Sequence, residues 1–153
     1  MQKIAFQALM IALFSGLAIG VQSSFIGSAS KITGAVLTGL LVNFFAGAAS
    51  GLLLAVIYAR QGNTVFSEMQ ISTVGMVTAA GVLGVGIIAG IAYALPKIGV
   101  AAGLSMIVTG QMAVAVFVDT LGLTGGQSIP LSWTRVGGLI LLVLGTWAIA
   151  PKE

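Results

Sequence analysis

In the uncharged run 98–118, one large polar side chain stands alone, Gln111, and one carboxylate, Asp119, follows directly after it. A primary amide both donates and accepts hydrogen bonds but carries no titratable proton; an ionised carboxylate only accepts. On a helix the two lie about 80° apart at roughly 100° per residue. Gln111 therefore either bonds a neighbouring helix or lines a polar path through apolar surroundings. Ser105 and Thr109 align at i, i+4 on a different face of the same helix. In the first apolar run, Gln7, Ser15 and Gln22 fall within about 80° of one another and form a polar stripe, with Phe14 between them. Gln22 and Gln111 are the leading hydrogen-bonding candidates for a small polar or amphipathic substrate, with Ser105, Thr109 and Tyr93 behind them.

Three other residues have a structural or gating character. Asn43 shares a helical face with Gly39, Gly47 and Ser50, a pattern of helix packing. Asp119, near a helix C-terminus, meets the negative end of the helix dipole and needs a cation. Arg135 opens the next apolar run on the same side, so a pair Asp119–Arg135 would close the loop 120–134. The functional alternative is a titrating carboxylate at the mouth of a pathway.

Much chemistry is excluded. The chain has no Cys and no His, so disulfides, the usual zinc sites and the commonest general base are missing. No acid pair, activated nucleophile, phosphate loop or metal cluster can be assembled, so no catalytic residue, cofactor or metal is expected. No basic cluster argues for nucleic acid.

The elements that must hold these residues follow from composition. The 153 residues are 58% hydrophobic and 6% charged, against about 25% charged in soluble domains. Three acids and six bases cannot cover a water-soluble globule of this size. Five apolar runs, at about 4–25, 32–58, 71–95, 98–118 and 131–150, lack the sustained alternation of a membrane barrel. Helices satisfy their own backbone in lipid, so the expected fold is an all-α membrane domain, 1–153, with five transmembrane helices. The first 30 residues imitate a signal peptide, with Ser28, Ala29 and Ser30 as the small-residue site; the length of the run and the four that follow make it a retained span.

Connections are expected as a short turn at 27–31, a polar water-facing loop at 60–70, a tight hairpin at Pro96 and Lys97, and a glycine-rich loop at 120–130 that Gly122 opens as a helix stop. Trp133 and Trp147, near opposite ends of the fifth run, fit an interfacial belt, as do Tyr58 and Tyr93. The glycine pairs 16/20, 47/51, 86/90 and 99/103 suggest close helix packing. No repeat of 20–50 residues is evident.

Gln22, the segment 42–47 (VNFFAG), Gly110-Gln111 followed by Asp119 and Gly122, and the segment 130–145 (PLSWTRVGGLILLVLG) together resemble the YdcZ family, the five-span short branch of the drug/metabolite transporter superfamily. The similarity spans nearly the whole chain. Where the family pattern often has a His after the Asp, this chain has Thr120. The resemblance implies a small-molecule exporter of the bacterial inner membrane, related to small multidrug resistance proteins that couple protons through a glutamate in the first span. Here that span has no acid. Asp119 and Glu68 are the only coupling candidates on their side of the membrane.

Lys3, Arg60 and Arg135 fall on one side of a five-span chain, and Lys31, Lys97 and Lys152 on the other. That balance sets no orientation by the positive-inside rule. The expectation is dual insertion and an antiparallel ten-helix homodimer, or a pair with a close paralogue. The competing reading is a non-transporting membrane subunit that assembles with or regulates another protein.

Overall fold

The computed structural model describes residues 2–62, 70–123 and 128–150. Every regular element among them is a helix: α1 (Gln2–Thr33), α2 (Ala35–Gln61), α3 (Ile71–Ile98), α4 (Val100–Leu121) and α5 (Trp133–Ile149). The first four are long and apolar enough to cross a membrane. The fifth has 17 residues and is about 25 Å long, short of a hydrocarbon core of roughly 30 Å.

The expected fifth run, 131–150, is trimmed at both ends for local reasons. Ser132 is extended, and its side chain accepts a hydrogen bond from the Arg135 backbone N–H, so the helix begins after it. Ala150 precedes Pro151 and leaves the helical region, at φ −58° and ψ 139°, because proline crowds the residue before it.

Both expected interhelical turns are displaced. Residues 27–31 do not form a turn; they belong to α1. The break comes at a single residue, Gly34, at φ 82° and ψ 157°. Likewise Pro96 and Lys97 lie within α3, and the break comes at Gly99, at φ 83° and ψ 157°. Small and hydroxyl residues favour turns in water, but here Ser30 and Thr33 donate back to Gly27 and Ala29 carbonyls inside the helix. Reversal needs backbone conformations that only glycine adopts readily.

The two junctions share a hydrogen-bond pattern. Gly34 N–H donates to Ser30 O (2.9 Å) and its carbonyl accepts from Thr38 N (3.1 Å); Gly99 N–H donates to Leu95 O (2.9 Å) and its carbonyl accepts from Gly103 N (3.0 Å). One glycine thus ends one helix and starts the next.

The chain forms two compact units. In Ser24–Tyr93, Ile26, Ser30 and Thr38 are buried, and Ile91 and Ala92 with them. There α2 meets α3 at Gly39, where an added Cβ would lie 3.0 Å from Ala89 Cα. Asn43 donates to Gly39 O at 2.8 Å and so stays on its own helix.

In the unit made of Met1–Ser23 and Ala94–Glu153, Leu95 and Ala102 are buried. A Cβ on Gly103 would lie 2.8 Å from Leu95 Cδ1. Eight residues of straight helix would separate that pair by about 12 Å, so the chain doubles back at Gly99. Of the four glycine pairs singled out by spacing, an added Cβ would come within 4 Å of a neighbouring atom among the described residues only at Gly103; at Gly16, Gly20, Gly47, Gly51, Gly86 and Gly90 nothing lies within 4 Å of that position. Large apolar side chains are exposed on every helix, as surfaces facing lipid or another membrane protein are.

The expected loop 60–70 falls mostly outside the described residues, and with it Glu68.

Candidate functional site

Helices α4 and α5 pack against each other, and between them lies a cleft of about 650 Å³. Its walls are Ile98, Ala102, Met106, Val143, Trp147 and Ala150; Thr109 and Thr146 supply hydroxyls and Lys97 a cation. From Ala102 to Thr109 is about 10 Å along α4. The cleft therefore runs inward from a helix end, with Lys97 at that end.

The two hydroxyls are tied together. Thr109 Oγ1 and Thr146 Oγ1 are 2.9 Å apart, and Thr109 Oγ1 also donates to Ser105 O at 2.8 Å. A hydroxyl has one proton, so Thr146 is the donor within the pair. Thr146 is 6% exposed and the hydroxyl pair is its tie to α4. In apolar surroundings an unpartnered hydroxyl costs about 1–3 kcal/mol, so this bond fixes the register of α5 on α4.

At the other end of α4, Gly122 adopts a left-handed conformation at φ 65° and ψ 26°. Gly122 N bonds Asp119 O and Leu123 N bonds Val118 O, both at 3.2 Å, the pattern of a glycine helix stop. Ile129 N returns to Asp119 O at 3.0 Å. Arg135 Nη2 donates to Asp119 Oδ2 at 3.1 Å. The loop is thus pinned twice on Asp119, once by backbone and once by charge. The pair is partly open, with the arginine 27% and the aspartate 40% exposed, and such a pair in water contributes only about 0.2–1 kcal/mol. Its effect is to position the start of α5. Arg135 Nη1 is buried and has no hydrogen-bond partner among the described residues.

The sequence candidates are distributed unevenly. Thr109 lines the cleft. Ser105 bonds back to Ala101 O and lines a shallower groove of about 370 Å³ on the other side of Thr146, with Leu104, Val108 and Leu141. Gln111 is exposed and outside the cleft, because two residues beyond Thr109 is about 200° around the helix. Gln22 is exposed as well, while the neighbouring Ser23 is buried. Tyr93 is exposed and lines neither of these two grooves.

Thr146, Met106, Trp147 and Lys97 were not picked out as site residues. Thr146 carried a signal, since it is the single polar side chain between 136 and 149. Trp147 read as an interfacial anchor and Lys97 as part of a turn; only the packing of α5 on α4 joins them to a cleft. No group of three or more acidic, Cys or His side chains that could hold a metal occurs among the described residues.

Neither curated proteins nor solved structures give a match to this chain. A family model does: DMT_YdcZ, described as "Putative inner membrane exporter, YdcZ", matches residues 7–148. That range takes in most of α1, all of α2, α3 and α4, and nearly all of α5, and so the chain belongs to the YdcZ family of multi-pass inner-membrane proteins.

Proposed function

We propose that the chain is one half of a small-molecule exporter, in which two copies insert in opposite orientations and form a ten-helix unit. The observation that carries the transport reading is the α4–α5 cleft in a member of an exporter family. Its volume lies within the roughly 300–1,000 Å³ typical of small-ligand sites, and its apolar walls with a few convergent polar groups have their usual make-up. No enzymatic step enters this reading.

The dimer reading is supported by the amides left outside the cleft. Gln22 and Gln111 are exposed within helices apolar enough to span, and neither has a hydrogen-bond partner among the described residues. An unpaired amide facing hydrocarbon costs several kcal/mol. A second copy, or a close paralogue, would supply partners or enclose a wet path between the two chains. The balance of three basic residues on each side leaves both insertions accessible, and an odd number of spans then yields inverted halves. The short α5 fits as a span if the bilayer thins or another helix flanks it.

A ligand screen tests the transport reading. A compound that occupies the cleft raises the melting temperature of the detergent-solubilised protein, by about 2.7 kcal/mol of added stability at a hundredfold excess over Kd. Thr146→Val should weaken that response. A broad library with no stabilising member would sink the assignment. Orientation is read separately: the chain has no Cys, so a single Cys at position 31, labelled with an impermeant thiol reagent on intact cells, should react partially. Complete labelling, or none, would exclude dual insertion.

A further inference from the structure

Resting on the reading of two opposed copies, we infer that α4 is the helix through which they meet. It runs antiparallel to the α4 of the second copy, and the two Gln111 amides bond to each other near the centre of the contact. Ala101, Leu104, Val108, Gln111, Ala115 and Val118 recur at steps of three and four residues and fall within about 100° of arc on α4. That spacing is the seam of a helix pair. Thr109, which bonds Thr146 of α5, lies about 130° from the middle of that arc, so the packing of α5 leaves the seam accessible. Val108, Gln111 and Ala115 are exposed, and Leu104 and Val118 half-buried.

The position of Gln111 selects the orientation. It stands midway between Val100 and Leu121, the two ends of α4, so water at either end is about 15 Å away. A primary amide both donates and accepts, which makes it complementary to a second copy of itself. Two helices related by a twofold axis in the membrane plane bring a residue against its own copy only at the level of that axis. Inversion leaves the centre of the helix at the centre. Around it the seam matches itself: Leu104 falls opposite the partner's Val118, each about two turns from the axis. A single polar residue within an apolar seam fixes register at some cost in stability. The α1 stripe differs, because Gln7, Ser15 and Gln22 make it polar along its length, which suits a wet path rather than a packed contact. Leu104 and Val108 also wall the shallower α4–α5 groove beside the seam, a recess for apolar side chains of the second copy.

The chain has no Cys, so cross-linking reads the contact directly. Two full-length chains with different tags, one carrying Leu104→Cys and the other Val118→Cys, are co-expressed and treated in native membranes with a short bismaleimide. They should cross-link to each other. Two Leu104→Cys chains should not, since an antiparallel pair holds those positions about 21 Å apart. Met106→Cys with Phe117→Cys, both exposed and matched in depth but turned away from the seam, should not either. A cross-link between two Leu104→Cys chains would mean a parallel pair, and overturns both this inference and the opposed unit. Equal yield from the Met106 and Phe117 positions overturns the seam. Absence of a product from Leu104→Cys with Val118→Cys overturns it too, and partial labelling of Lys31→Cys then leaves the opposed insertion standing. The amide pair has its own readout. Dimer affinity, followed by energy transfer on dilution in liposomes, should fall about tenfold in Gln111→Leu, the scale of an interhelical hydrogen bond in a membrane. It should lie closer to wild type in Gln111→Asn, which keeps an amide. An unchanged affinity in Gln111→Leu overturns the amide pairing.

Discussion

The junctions at Gly34 and Gly99 have the same backbone and different surroundings. Both glycines sit near φ 82° and ψ 157°, and both close one helix while opening the next. Around Gly34 the contacts are polar: Ser30 and Thr38 are buried, and the Thr33 and Thr38 hydroxyls meet at 2.6 Å. Around Gly99 they are apolar: Leu95, 2% exposed, lies against Gly103. The turn itself is a property of one glycine, whereas what packs behind it is free to vary. The apolar junction is the one whose flanking residues, Lys97, Ile98 and Ala102, also line the cleft. A wall built from side-chain packing can face an apolar ligand; a hydroxyl cluster would face it with polar groups.

The largest expected effect separates the two sets of surroundings. Leu95→Ala removes a buried side chain and leaves a cavity, a loss of about 2–5 kcal/mol, read as thermal unfolding in a neutral detergent. A loss below about 1 kcal/mol would show that Leu95 does not hold the second junction. Gly103→Ala should also destabilise, since its Cβ would fall 2.8 Å from Leu95 Cδ1. Combining it with Leu95→Ala should recover part of that loss, because the smaller side chain makes room.

The next effect tests what the junctions share. Gly34→Ala and Gly99→Ala each place a Cβ in a backbone region reserved for glycine, at about 1–3 kcal/mol each. Neither position has an atom within 4 Å of the added Cβ, so conformation alone is responsible and the two losses should agree within about 0.5 kcal/mol. A large inequality would mean that the surroundings set the turn after all.

These junctions mark the limit of what the sequence discloses. Five helices are legible because apolar runs this long, without the alternation of a membrane barrel, satisfy their backbone in lipid as helices. The stop at Gly122 is legible because it follows an apolar run and opens a loop. The positions of Gly34 and Gly99 are not, since the turn signals near them, Ser28 to Ser30 and Pro96, are absorbed into helices when water is absent. In the cleft, Thr109 is legible as a hydroxyl at helical spacing from Ser105. Its pairing with Thr146 depends on the register of two helices that are far apart in sequence, and no local pattern encodes that. Gln111 is the reverse case: conspicuous in sequence, yet turned away from the cleft by two residues of helix.

The smallest effect compares the two threonine pairs. At the Gly34 junction each hydroxyl has a backbone acceptor within reach, Ala29 O for Thr33 and Gly34 O for Thr38, and with one proton apiece the two hydroxyls make two of the three bonds available, counting the contact between them. Thr33→Val therefore leaves Thr38 with a bond and should cost only about 0.6 kcal/mol, the mean for interhelical hydrogen bonds in membranes. In the cleft, Thr109→Val removes the acceptor that Thr146 uses and strands a buried hydroxyl. That loss should be larger, about 1–3 kcal/mol. Thr109→Ser keeps the hydroxyl and should restore most of it, whereas Thr33→Ser should change little from wild type. Unfolding of the four variants under one condition decides the matter. Equal losses for Thr33→Val and Thr109→Val would mean that Thr146 finds another acceptor within α5, and that the register of α5 on α4 is held by packing alone.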